Sequence, residues 1–131
     1  MALPNGAGGY QFGDGNVNEI NMVTQVAPTA KTAAATLTAA ELATGIITYT
    51  GAAVALTVPL GTDLDAAFPS MKVNSCFDFS IINTGATNAA TVTANTGCTL
   101  VGVAAVAAVT SAQWRVRKTA DATYVFYRVA G

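Results

Sequence analysis

The sequence predicts an all-β domain, a β-sandwich of jelly-roll type, with two short helices and an extended N-terminal arm. Short runs of β-branched and aromatic residues recur along the chain, separated by turns that contain Gly, Asn or Pro. Hydrophobic residues make up 52% of the chain and charged residues only 10%, and Ala supplies 27 of the 131 positions. Such a composition favours closely packed strands. It does not favour helices, which usually carry a charged outer face.

The N-terminal segment differs from the rest of the chain. Its first 18 residues are rich in Gly and Asn and can bury little surface. A weak alternation over residues 20–26 predicts one strand, which Pro28 ends. Tyr10, Phe12 and Met22 are apolar side chains that a free tail does not need, although a free tail remains the alternative. We therefore divide the chain into an arm, residues 1–36, and a sandwich domain, residues 37–131.

Two short helices follow from capping patterns. Thr38 and Glu41 have the spacing of a capping box, which predicts a helix over residues 39–44. Thr62 and Asp65 repeat that spacing and predict a second helix over residues 63–67. The pair Asp63 and Asp65 also resembles part of a Ca²⁺ loop, but the further oxygen donors that such a loop needs are missing. Capping is therefore the favoured role of both carboxylates.

The remaining segments predict strands. In the most regular one, residues 75–83, Phe77, Phe79 and Ile81 share the face that we assign to the core. Residues 83–87 have the composition of a hairpin loop that leads into the next strand. The segment 103–109 fits a strand or an extended loop. The predicted strands are 46–50, 53–58, 75–83, 89–94, 98–101, 103–109, 113–118 and 123–129.

The composition argues against catalysis. The chain has no His, so its Ser and Cys side chains have no imidazole base beside them. We predict a protein that is not an enzyme, with no catalytic residue, no metal site and no cofactor. Cys76 and Cys98 lie in apolar strand patterns and are predicted to be buried free thiols, with a single disulfide as the alternative.

The charge and hydropathy of the chain also exclude some partners. The formal net charge is −1, which gives no general attraction to nucleic acid. No run of 18 apolar residues is present, so we predict no membrane span. The N-terminus has neither the basic start nor the apolar core of a signal peptide, which predicts that the chain is made in the cytoplasm and is not exported by that route.

The C-terminal region carries the candidate contact residues. Four of the six cations, Arg115, Arg117, Lys118 and Arg128, fall in the last 17 residues, where a hairpin would align them in one basic stripe. Three interpretations stay open. They are a surface that meets an acidic partner protein, a solvated strand face, and a nucleic-acid contact, for which four cations are few.

Aromatic residues are concentrated in the same region. Trp114, Tyr124, Phe126 and Tyr127 could form a platform on which sugars stack, but aromatic residues on strands are more often part of the core. Tyr124 and Phe126 share one face of their predicted strand, which leaves Tyr127 as the ring expected to point outward.

Several segments, taken in order, resemble a family of small β-domains found among the structural proteins of tailed bacteriophages. They are LTAAELATGIIT (37–48), LTVPLGTDLDAAFP (56–69), FDFSIINTG (77–85), TVTANTGCTLVG (91–102), WRVRK (114–118) and YVFYR (124–128). The resemblance implies a capsid decoration (cement) protein of the virion surface, a homotrimer that binds the major capsid protein. A fibre or tail module that binds host glycans is the alternative. The predicted contact residues are Tyr10, Phe12 and Met22 in the arm and Arg115 and Arg117 in the domain.

Overall fold

The computed structural model describes residues 22–131 and consists of two β-sheets, two short helices and one hydrophobic core. This confirms the prediction of a mostly β chain with two short helices. The helices are α1 (Ala39–Ala43) and α2 (Gly61–Ala67). The strands are β1 (Thr29–Lys31), β2 (Ala35–Thr36), β3 (Ile46–Tyr49), β4 (Val54–Thr57), β5 (Cys76–Asn83), β6 (Ala90–Thr93), β7 (Cys98–Val101), β8 (Ala105–Val106), β9 (Thr110–Ala120) and β10 (Thr123–Ala130).

The chain alternates between the two sheets. The larger sheet has the strand order β1-β3-β5-β9-β10-β7, and the smaller has the order β2-β4-β6-β8. Every connection from β1 to β9 therefore crosses from one sheet to the other, and only β9 and β10 are consecutive strands of the same sheet. Since neighbours in a sheet are mostly two strands apart in the chain, many of them run parallel.

This path differs from the predicted topology at two points. A jelly roll is built from antiparallel strands, whereas the pairs β1–β3, β3–β5, β2–β4, β4–β6 and β7–β10 are parallel. The expected hairpin at residues 83–87 is also wrong, because β5 and β6 lie in different sheets. The turn residues there end one strand and carry the chain across to the other sheet.

Some strands have different bounds in the structure from those that the sequence predicts. Residues 22–26 form no strand, and residues 20 and 21 lie outside the described part of the chain. The segment 103–109 contributes only the two residues of β8, whereas the predicted strand 113–118 extends to the eleven residues of β9. The division at residue 36 stays a prediction. Within the predicted arm, β1 pairs with β3 and β2 pairs with β4.

The core draws on both sheets and on both helices. Trp114, Phe79, Tyr124 and Phe126 bury their rings from the large sheet. The small sheet contributes Leu56, Val92 and Val106, and the helices contribute Leu42 and Leu64. As predicted, Phe79 and Ile81 are buried and Phe77 packs against the same cluster. Burial of these large side chains supplies the main driving force for folding.

The two helices begin for different reasons. At α1 the predicted capping box is present: the Glu41 N–H donates to Thr38 Oγ1 at 3.1 Å, and the Thr38 N–H donates to Glu41 Oε1 at 2.9 Å. The predicted cap of α2 at Thr62 is wrong, because α2 begins at Gly61 and its N-cap residue, Leu60, makes no side-chain bond. A tertiary contact fixes this start, since the Gly61 N–H donates to the Thr96 carbonyl at 3.0 Å.

Gly61 also allows a close approach to the β9–β10 turn. A Cβ atom on Gly61 would lie 1.9 Å from the Ala122 carbonyl oxygen, which is far inside van der Waals contact. We therefore expect Gly61→Ala to lower the free energy of unfolding by about 3 kcal/mol, as overpacking of a tight contact does. Urea denaturation measures this loss. Gly85→Ala is the control, because its Cβ would approach one side-chain atom, Asn83 Oδ1, at 3.1 Å and no backbone atom closer than 3.8 Å. Equal stability of the two variants would contradict the account.

Candidate functional site

The outer face of the large sheet is the surface that carries the predicted contact residues of the domain. Along β5, β9 and β10, alternate side chains point into the core or away from it. The strand register places the outward side chains side by side on one face, which residues 22–131 leave open. We call this the outer face, formed by Cys76, Asp78, Ser80, Ile82, Ser111, Gln113, Arg115, Arg117, Val125, Tyr127, Thr99 and Val101.

The four C-terminal cations do not form one stripe, so that prediction is wrong. Arg115 and Arg117 lie on the outer face, and their contact role stays a prediction. Lys118 points to the inner side of β9 and is 8% exposed. Arg128 pairs in register with the buried Trp114 and donates to the Val103 and Ala105 carbonyls. The alternation of the strands therefore divides the four cations between the two faces.

Arg115 is held by a fork-shaped ion pair. Its Nε donates to Asp78 Oδ1 at 2.8 Å and its Nη2 donates to Asp78 Oδ2 at 3.0 Å. The Arg115 guanidinium lowers the pKa of the Asp78 carboxyl, and the carboxylate raises the pKa of Arg115. This fixes both planar groups in one orientation on the outer face and nearly cancels their charge.

Arg117 is held by neutral groups. Its Nε donates to Asn74 Oδ1 at 3.1 Å, and its Nη1 donates to the Tyr127 hydroxyl at 2.6 Å. Among the ion pairs formed within residues 22–131, none includes Arg117. Arg117 therefore gives the outer face a positive charge that is fixed in position but remains available to an acidic partner.

Lys118 belongs to a structural network on the inner side. Its Nζ lies 2.9 Å from Asp65 Oδ1, and the Tyr124 hydroxyl and the Ala122 N–H also donate to the Asp65 carboxylate. These bonds, with Tyr124 contributing most, lower the pKa of Asp65. Asp65 thus joins α2 to the β9–β10 hairpin instead of capping α2, which corrects the sequence prediction.

An apolar rim borders one end of the outer face. Val103 and Val129 line a shallow depression together with Thr110, and Ile82 and Val109 line a second one that shares Thr110. Val103 is 67% exposed, Val109 74% and Val129 49%. The apolar rim consists of Ile82, Val101, Val103, Val109 and Val129. Among the described side chains that line the two depressions, Arg128 alone is charged, and two carbonyls already bind it.

Two local distortions of the backbone expose Val109 and Val129 of the rim. Val109 has a φ of +59°, a left-handed conformation that is costly for a β-branched residue. Its N–H donates to the Gly85 carbonyl at 3.1 Å, which holds the turn in place. Val129 is the extra residue of a β-bulge, since Trp114 pairs with Arg128 and Gln113 pairs with Ala130. The fold therefore holds both side chains outward.

The other predicted contact residues belong to the N-terminal arm. Met22 is 88% exposed at the start of the described chain, and Tyr10 and Phe12 lie outside the described residues. Trp114, Tyr124 and Phe126 are buried, and Tyr127 points outward as predicted. The outer face thus holds one of the four aromatic rings considered for sugar stacking.

The two cysteines are free, as predicted, but they differ in burial. Cys98 is half-buried, its thiol donates to the Pro59 carbonyl, and burial raises its pKa to about 11. Cys76 is exposed on the outer face, so its predicted burial is wrong. The alternation of β5 places Phe77, and not Cys76, toward the core.

Residues 22–131 contain no group of three or more His, Cys, Asp or Glu side chains placed to hold a metal ion. None of the helices in this part of the chain has the length and apolar character needed to cross a bilayer.

The chain was also compared with known proteins. No family model, no curated protein and no solved structure matches it.

The Asp65 network predicts a dependence of stability on pH. Its partners hold the pKa of Asp65 below the usual 3.8, so its contribution is complete above that value and is lost as the pH falls through the lower folded-state pKa. We expect Asp65→Asn to lower the Tm at pH 6, and the difference from the parent protein to shrink at pH 2. Thermal melts measured across this range test the prediction.

Asp63→Asn is the matched control. Asp63 lies in the first turn of α2, is exposed, and takes part in none of the side-chain bonds found in residues 22–131. The Asp63→Asn substitution should change the Tm little at either pH. A Tm difference for Asp65→Asn that is equally large at pH 2 and pH 6 would contradict the network.

Proposed function

We propose that this protein is a capsid decoration (cement) protein. It binds the outer surface of a bacteriophage head and stabilises contacts between major capsid subunits. In this proposal the outer face and the apolar rim meet the major capsid protein. The chain is made in the host cytoplasm and becomes part of the virion surface.

One observation carries the proposal: an open sheet face on which fixed charged groups adjoin an uncharged apolar rim. The Arg115–Asp78 pair and the Arg117–Tyr127 bond hold their side chains in place before any partner arrives. Binding therefore costs little side-chain entropy at these positions. The valines of the rim supply apolar area that becomes favourable when a partner covers it.

The composition and charge of the whole chain support a role in binding to a partner protein. The chain has no His, few charged residues and a net charge of −1. Close packing of uncharged surfaces, and not electrostatic steering, is then the main source of affinity. A homotrimer that touches several capsid subunits at once gains avidity from effective concentration, so each contact can be weak.

The proposal includes two finer structural statements. We infer that the two sheets pack face to face as a β-sandwich, because both bury side chains in the one core cluster. We also infer that the arm, with Tyr10, Phe12 and Met22, extends the contact toward neighbouring subunits. Met22 is exposed and available for such a contact.

A fibre or tail module that binds host glycans is the alternative function. Sugar-binding faces commonly stack aromatic rings against the ligand. The outer face supplies Tyr127 for this purpose, and its hydroxyl is already bonded to Arg117. The apolar rim therefore favours a protein partner over a glycan.

Attachment to heads that lack this protein tests the proposal. We expect Val103→Asp and Val129→Asp each to weaken binding at least about tenfold, because a buried unpaired carboxylate costs well over 1.4 kcal/mol. Co-sedimentation of the purified variants with such heads measures the loss. Val103 is 67% exposed and Val129 is half-exposed, so the variants should fold normally.

Val73→Asp is the matched control. Val73 is 56% exposed and lies before β5, away from the rim. The Val73→Asp substitution introduces the same charge and should leave binding to the heads unchanged. If all three variants bind as the parent protein does, the apolar rim is not the contact surface. If the parent protein does not bind heads at all, the decoration function is excluded.

A further inference from the structure

An apolar groove lies between α1, the segment that follows α2, and the first residues of β5. Its volume is about 540 Å³. The rings of Phe68 and Phe77 meet in its wall with their centroids 5.2 Å apart, and Met71 lines it as well. Among the described side chains of the lining, Asp78 alone is charged, and Arg115 already pairs with it. The groove therefore offers an apolar surface without a free charge.

An open stretch of strand edge adjoins the groove. The Ser80 N–H donates to the Gly45 carbonyl, on the β3 side of β5. Backbone groups alternate in direction along a strand, so those of Cys76 and Asp78 point to the same side. The pairing of β3 with β5 begins only at Ser80. Among the described residues, no strand covers the edge of β5 before that point, so an extended segment can add to the sheet there.

Residues 22–28 form an exposed segment before β1. They contain no helix, no turn and no strand pairing, and each of them is exposed. Met22 is 88% exposed and Val26 54%. The Gln25 Nε2 donates to the Thr44 carbonyl at 2.6 Å and holds the segment beside the end of α1. The segment thus displays large apolar side chains, carries no charge, and has no strand beside it.

We propose that residues 22–26 of one copy bind in the groove of a second copy, as a short strand added along the open edge of β5. Met22 and Val26 are four residues apart, so an extended strand places both on one face, toward the groove. Both side chains then leave water for an apolar wall. Backbone bonds to the open edge supply affinity, and the groove supplies specificity for the side chains.

A second copy is the occupant that the described residues favour. Met22 lies three residues from Gln25, which is bonded beside the groove of its own chain, yet it stays exposed. The segment therefore does not fill its own groove. Neither the segment nor the groove carries a free charge, so two copies meet there without repulsion.

The segment and the groove are different surfaces, and a contact of this kind between identical copies closes as a ring when its rotation allows. A ring of three copies is the homotrimer proposed above. The inference deepens that part of the proposed function, and rests on it, by naming the surfaces that join the copies. The apolar rim lies at the other end of the outer face and stays open to the capsid.

Removal of the donor side chains tests this contact. We expect the double variant Met22→Ser, Val26→Ser to weaken self-association at least about tenfold, because the burial of both side chains is lost. Light scattering after size-exclusion chromatography measures the mass of the purified protein over a range of concentrations. The parent protein should be an oligomer and the variant mostly a monomer. A monomeric parent protein, or a variant that associates as the parent does, overturns the proposal.

The matched control is the double variant Val103→Ser, Val109→Ser. These valines belong to the apolar rim and are also largely exposed. The control variant should keep the mass of the parent protein. Dissociation of this control would overturn the proposal, because the copies would then join through the rim.

The acceptor side has its own pair of variants. Ala67 is exposed and lines the groove, whereas Ala66, the preceding residue of α2, is exposed outside the described lining. We expect Ala67→Glu to dissociate the oligomer, because it places a carboxylate in the apolar contact. Ala66→Glu adds the same charge to the same helix and should leave the mass unchanged. Equal masses for the two variants would overturn the proposal.

Photo-cross-linking distinguishes a second copy from the same chain. Unlabelled and heavy-isotope copies of Met22→p-benzoylphenylalanine are mixed, allowed to exchange, and irradiated. The cross-links should join position 22 to the segment that contains Phe68 and Met71, with both isotopes present in single cross-links. Cross-links that never mix the isotopes would show seating within one chain and overturn the proposal. These experiments use the isolated full chain, so their failure is distinct from a failure to bind heads.

Discussion

The alternation of side chains along β9 is the constraint on which the rest of the structure depends. This strand of eleven residues pairs with β5 on one side and with β10 on the other. Its inner side buries Trp114 and Val116, and its outer side displays Arg115 and Arg117. A slip of one residue would exchange the two sets. Such a slip would bury Arg115 and Arg117 on the inner side and would separate the Lys118 ammonium group from Asp65 on α2, and both changes oppose it.

Local features of the fold could be predicted from the sequence. The capping box at Thr38 and Glu41 and the core face of β5 depend on residues within a few positions of one another. The path of the chain between the sheets could not be predicted, since parallel pairs join strands that are far apart in sequence. The roles of Lys118 and Asp65 were missed for the same reason: 53 positions separate the partners, and each alone resembles an ordinary surface charge.

Part of the candidate site could also be predicted from the sequence, and part could not. The alternating pattern of the last strand predicted that Tyr127 points outward, whereas for Arg115 and Arg117 the sequence predicted a contact role. The apolar rim was not predicted, because its valines come from an edge strand, a crossing connection, a strained turn and a β-bulge. Ala-rich segments also gave no sign of which valine would be exposed. Crossing from one sheet to the other thus explains both the parallel pairs and the exposed side chains that we assign to binding.

We propose that this chain covers the lattice of a phage head in many copies and is not a rare part of the tail. Its copy number in purified virions, relative to the major capsid protein, tests that claim most directly. Quantitative mass spectrometry of intact particles gives this ratio. The account predicts a ratio of the order of one copy per major capsid subunit. A handful of copies in each particle would indicate a fibre or tail part, and absence from the particles would contradict a structural role in the virion.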